Sequence, residues 1–81
     1  MTTNILHAPW RAHALLSGMR HAMILFPNGH AASVVAGALI PGAYELLHLS
    51  DPDADPRRFS SDAEINAELA RIAALPALPS L

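Results

Sequence analysis

The sequence predicts an α+β domain in which a three-stranded antiparallel β-meander is packed by a C-terminal α-helix. Three observations carry that expectation. Asn28-Gly29 lies between two apolar runs, Met23 to Phe26 and Ala31 to Val35, and this pair readily adopts φ > 0 at both centres of a type I′ hairpin turn. Pro41-Gly42 offers a second reversal before the run Tyr44 to Leu49, since proline presets φ at one turn position and glycine accepts a positive φ at the next. Ile65, Leu69 and Ile72 then recur at i, i+4 and i+7 behind Ser61-x-x-Glu64, which is the apolar stripe of a helix preceded by a capping box.

In chain order, residues 1–18 are the least defined segment. Pro9 and Gly18 bracket WRAHALLS as a helix start and stop, which makes a short N-terminal helix one reading; the loose alternation of the same residues makes a strand the other. Trp10, the largest apolar surface there, is expected to pack over an open end of the sheet. A two-residue Asn28-Gly29 loop would set Phe26 opposite Ala31, Ile24 opposite Ser33 and Met23 opposite Val34. Ile24 and Phe26 then share one face of the sheet, Met23 and Leu25 the other. In the third run Tyr44, Leu46 and His48 oppose Glu45, Leu47 and Leu49, so both faces are largely apolar. One helix covers one face; the N-terminal segment, a second copy or a foreign partner must cover the other. Asp51-Pro52-Asp53-Ala54-Asp55-Pro56-Arg57-Arg58 reads as a stiff connector, because each proline restrains itself and the residue before it. Glu64, Glu68 and Arg71 share a polar face of the helix, and Pro76 stops it. The domain so defined spans 19–76, and residues 77–81 form a tail.

Composition narrows the function classes. The 81 residues suffice for one small core, and sixteen of the apolar residues are alanines that bury little area each. With no cysteine the fold needs no oxidising compartment, and a cytoplasmic location is expected. The uncharged window from His21 to Tyr44 is broken by Pro27-Asn28-Gly29-His30, and neither half reaches the ~20 apolar residues of a membrane span. Met1 to Leu6 lacks the basic start of a secretory signal. Five scattered arginines and no lysine make no basic patch, so no direct nucleic-acid partner is expected. Arg11 and Arg20 are the only formal charges before Glu45, whereas all seven acids follow Tyr44. An acidic half of this kind suits a basic protein surface.

No chemical motif stands out. His7, His13, His21, His30 and His48 show no ligand spacing, and no metal site is expected from them. Asp51, Asp53, Asp55 and Asp62 imitate the acids of a calcium loop, but Pro56 stands where that loop needs glycine and its twelfth position is Asp, not Glu. Ser33 has no defined base and orienting acid, and Ser17, Ser60 and Ser61 suit turns and caps. Glycines 18, 29, 37 and 42 are too widely spaced to cradle a phosphate. The expectation is a protein without cofactor that is not an enzyme.

The order FPNGHAASVV, GAYELLHLSD, an acidic connector and SSDAEINAELARIAALP resembles small prophage-encoded proteins with an N-G-x-x-A-S-hydrophobic hairpin, a short [YF]-E-x-x-x-L strand and a C-terminal helix ending I-A-A-L. The likeness covers residues 19–76. The chain departs from it where Ala36 to Ala43 is apolar instead of glycine-rich and polar, and where Pro-Asp-Ala-Asp-Pro replaces a second turn. Some proteins of this size and origin are anti-CRISPR proteins. The resemblance therefore implies an inhibitor that binds a bacterial type I CRISPR surveillance (Cascade) complex and prevents target DNA recognition. Asp51, Asp53, Asp55, Glu64 and Glu68 would meet the basic channel of that partner, with Arg57 and Arg58 as rim contacts. Two alternatives come from other classes: a small homodimeric structural or assembly protein of a prophage, and a small DNA-binding regulator, against which the lack of a basic helix counts.

Overall fold

The computed structural model describes residues 4–37 and 40–79. A single 3₁₀ turn, Ile5–His7, precedes a five-stranded antiparallel sheet of β1 (Arg11–Ala12), β2 (Met19–Leu25), β3 (Ala31–Gly37), β4 (Ile40–His48) and β5 (Arg57–Phe59), adjacent in sequence order; α1 (Asp62–Ala73) follows. The α+β class is the expected one, but the sheet has five strands and not three. The two added strands are edges of two and three residues, too short to display a period of two, and exist by pairing Arg11 with His21 and Arg58 with Glu45.

The N-terminal helix bracketed by Pro9 and Gly18 does not form. Only Arg11-Ala12 of that segment is strand, and Gly18 takes φ +78° at the entry to β2, where the Met19 N–H donates to the Leu16 carbonyl. Upstream, the Asn4 side chain accepts from Leu6 N–H at the 3₁₀ turn, and Ile5 is fully buried. Two bonds fix this turn from outside: Ile5 N–H donates to Asn66 Oδ1 of α1 at 2.7 Å, and the Trp10 indole N–H donates to the Ile5 carbonyl at 2.9 Å. The N-terminal segment thus joins the helix side of the sheet.

The β2–β3 hairpin is not a two-residue type I′ turn. Phe26 N–H donates to the His30 carbonyl at 2.8 Å and Gly29 N–H to the Phe26 carbonyl at 3.0 Å, leaving Pro27, Asn28 and Gly29 as a three-residue loop. Proline at the second turn position favours this form, and only Gly29 needs a positive φ, +89°. The register moves by one: Leu25 faces Ala31, Ile24 faces Ala32 and Met23 faces Ser33. A one-residue change exchanges the faces of a strand, and Ala32, Val34 and Ala36 point inward in place of Ala31, Ser33 and Val35.

Pro41-Gly42 is not the second reversal either. Both lie inside β4, in a bulge: Ala36 faces Tyr44 while its neighbour Gly37 faces Ile40. Proline has no N–H to give a ladder, and a bulge is where a strand tolerates it. Gly37 is thus already paired with Ile40 before Pro41 is reached. Gly37 is obligatory, since at φ +147° a Cβ would stand 2.5 Å from the Gly18 carbonyl oxygen.

Ile65, Leu69 and Ile72 of α1 pack fully buried on Ile5, Ile24, Phe26, Ala32, Val34 and Leu46. Ser61 is the N-cap, accepting from Glu64 N–H at 3.2 Å; the reciprocal arm of the expected box reaches one residue further, Glu64 Oε2 accepting from both N–H and Oγ–H of Ser60. The other end is capped from the hairpin. Asn28 Nδ2 lies 2.9, 3.2 and 3.1 Å from the carbonyls of Ile72, Ala73 and Leu75, and the Leu78 N–H donates to the Asn28 carbonyl at 3.0 Å. No helix among the described residues is long and apolar enough to cross a membrane.

Candidate functional site

The connector between β4 and β5 is turned by two backbone hydrogen bonds and one carboxylate, that of Asp51. Asp51 N–H donates to the His48 carbonyl, Ala54 N–H to the Asp51 carbonyl, and Asp51 Oδ1 accepts from Asp53 N–H at 2.9 Å. An aspartate before a proline favours this local turn, because its side chain mimics a backbone acceptor while Pro52 restrains the next φ. Asp51, Asp53 and Asp55 stay exposed, and none takes part in an ion pair among the described residues.

Glu68 behaves differently from the other expected contacts. Its carboxylate is 5 % exposed and lies between two guanidinium groups, Arg57 Nη1 at 2.9 Å and Arg71, which donates from both Nε and Nη2. The arginines remain more than half exposed, 62 % and 53 % for their side chains. Burial of an acid on a helix of this kind requires such pairing. The Glu68 hydrogen bond holds the Arg71 guanidinium above the ordinary arginine pKa, with the nearby Asp51 charge adding in the same direction. Glu64 is fully exposed yet engaged: bonds from Ser60 N–H and Oγ–H stabilise its anion and lower its pKa.

Two clefts flank this triad. A smaller one of about 140 Å³ brings together Asp51, Asp55, Arg57, Glu68, Arg71 and His48, four of which the sequence singled out. The larger groove, about 480 Å³, runs between β5 and α1 and is lined by Arg57, Arg58, Arg71, Phe59 and Glu64 among others. Arg58 also reaches Glu45 at 3.4 Å across the strand pair, and Arg57 lies 5.2 Å from the Phe59 ring centre. Sequence reasoning placed Arg71 beside Glu68 only as one polar helix face; the i,i+3 spacing was the available signal. The closure by Arg57, eleven residues away, had none.

Three polar constellations lie elsewhere. His30 and His48 are both buried; His30 Nε2 is 3.0 Å from the Pro76 carbonyl, and its Nδ1 is 3.0 Å from His48 Nε2. A carbonyl only accepts, so His30 donates from Nε2 to Pro76, and the direction of the bond between its Nδ1 and His48 Nε2 follows from which of the two nitrogens carries a hydrogen. At the far end of the sheet Tyr44 donates to Asp62, stacks on Trp10 at 6.3 Å, and Trp10 in turn carries the Arg20 guanidinium 4.8 Å from its ring centre. The Asp62 hydrogen bond is the main cause of a raised Tyr44 pKa, burial and the Asp62 charge adding to it while Arg20 opposes. Finally, Ser33 Oγ lies 2.7 Å from His21 Nε2 on the face away from α1. No carboxylate is hydrogen-bonded to His21 among the described residues, and no three His, Asp or Glu side chains converge there or elsewhere as a metal site. Comparison with family models, with curated proteins and with solved structures returned no match to this chain.

Proposed function

We propose that the chain is a non-catalytic inhibitor of the anti-CRISPR type, which binds a type I CRISPR surveillance (Cascade) complex and prevents its recognition of target DNA. The observation that supports it is the connector. Asp51 and Asp53 sit in a hydrogen-bonded turn and Asp55 is exposed just after it, with no cation paired to any of the three among the described residues. Fixed carboxylates of this kind compete with phosphates for the arginines and lysines of a DNA channel, and their field raises the rate of encounter. Arg57 would stand at the rim of the same surface, while Arg58, next to it on the edge strand, pairs with Glu45 on the other face of the sheet. Glu68 fixes the position of Arg57, and Glu64 sets the start of α1, so both act by shaping the surface more than by touching the partner. The resemblance of residues 19–76 to small prophage-encoded proteins supplies the identity of the partner.

The experiment is capture of purified type I surveillance complex on immobilised protein, with Asp53→Asn and Asp55→Asn as variants. Neutralising exposed charges at a rim acts chiefly on association, so the double variant should bind about tenfold more slowly at low salt, with the gap closing at high salt. Absence of capture across several type I subtypes would overturn the reading.

A further inference from the structure

Beside the row of Met19, Gly37 and Ile40, in which Met19 and Ile40 are buried, the face of the sheet opposite α1 carries three further cross-strand rows. Leu25, Ala31 and Leu49 form the first, Met23, Ser33 and Leu47 the second, and Arg11, His21, Val35, Glu45 and Arg58 the third. Leu25 is 76 % exposed and Met23 and Leu49 each more than 40 %, a contiguous apolar patch at one end of the face with the charged row beside it.

We infer that this face is the interface of a twofold dimer, the occupant being a second copy of the chain. Large and small side chains alternate across it: β2 presents Met23 and Leu25, and its neighbour β3 presents Ser33 and Ala31. A twofold axis parallel to the strands and passing between β2 and β3 lays β2 of each copy over β3 of the other. Met23 and Leu25 then seat on the partner's Ser33 and the partner's Ala31. The same operation lays β1 over the partner's β4 and brings Arg11, which makes no ion pair among the described residues, against the partner's Glu45. It also lays the hollow of about 270 Å³ formed by Pro9, Arg11, His21, Met23 and Leu25 beneath the partner's Leu47. A twofold axis across the strands keeps their order and sets Arg11 over the partner's β1, without the opposite charge. Sheets packed face to face in this manner stay near alignment and interdigitate side chains over ~10 Å. The inference does not rest on the inhibitor reading, because the connector and α1 lie outside this face.

Sedimentation of the full chain across a range of concentrations tests it. The expected result is a reversible species of twice the 8.6 kDa chain mass. Leu25→Glu and Met23→Glu, at exposed positions, should raise the dimer dissociation constant at least tenfold while leaving the far-ultraviolet circular dichroism unchanged. Arg11→Glu and Glu45→Arg should each weaken association, and the double exchange should recover part of it. A monomer at every concentration, a dimer indifferent to Leu25→Glu and Met23→Glu, or a double exchange no tighter than either single variant would overturn the stated arrangement.

Discussion

Asn28 has two tasks that no local rule connects. Within the hairpin its Oδ1 accepts from His30 N–H at 3.1 Å; across 44 residues its Nδ2 meets the carbonyls that α1 leaves open. Asn28→Ala removes the donor and leaves those carbonyls without it, which should cost about 1–3 kcal/mol. For a domain of this size, thermal unfolding should fall by roughly 4–8 °C per kcal/mol. Asn28→Asp keeps the Oδ1 acceptor but sets a negative charge against the negative end of the helix dipole, and should be at least as damaging. Glu64 works at the other end. Its folded pKa is lowered, so its contribution is present above the unfolded glutamate value of about 4.3 and is lost as pH falls through the folded one. Melting temperatures between pH 7 and pH 3 should fall less steeply for Glu64→Gln than for the natural chain. Tyr44 has the opposite sign: its raised pKa stabilises below the ordinary tyrosine range, and that share is lost as pH rises through the folded value. Asp62→Asn should bring the Tyr44 phenol back towards its ordinary titration, read by its ultraviolet absorbance.

Among the elements, α1 was legible because its apolar period repeats, and β2 to β4 because each is built on an apolar run bounded by turn residues. Ile65, Leu69 and Ile72 identify the buried face of the helix unaided. The edges were not: Arg11-Ala12 and Arg57-Arg58-Phe59 have no period to read and become strands through neighbours they cannot name. Turn chemistry misled twice, each time through a proline. Pro27 converts Asn28-Gly29 into a three-residue loop and so changes which face of β3 is buried, and Pro41 sits in a bulge and not at the reversal. The candidate site shows the same division. The exposed aspartates of the connector could be read from spacing alone, but the withdrawal of Glu68 between Arg57 and Arg71 depends on β5 lying against α1. That triad predicts non-additivity. Arg57→Ala or Arg71→Ala leaves one guanidinium on Glu68 and should cost under about 1 kcal/mol, as exposed pairs do. The double variant strands a buried carboxylate and should exceed the sum of the singles by about 1–3 kcal/mol in denaturant unfolding.

At the scale of the whole molecule the sheet divides two jobs between two sides. α1, the 3₁₀ turn and Trp10 complete one small core, which a chain rich in alanine needs in order to fold at all. The other side exposes an apolar patch and a charged row, and the acidic connector projects from the end of β4 beside the helix layer. The layout leaves an exposed acidic turn after β4 and exposed apolar side chains, Leu25, Met23 and Leu49, on the sheet face away from α1.

The most direct test of the inhibitor account is competition for DNA: binding of labelled target duplex to a purified type I surveillance complex, measured while the chain is titrated in. The account predicts that DNA binding is lost at stoichiometric protein, and that Asp53→Asn/Asp55→Asn shifts the inhibition curve about tenfold to higher concentration at low salt. Full DNA binding at saturating protein would contradict it.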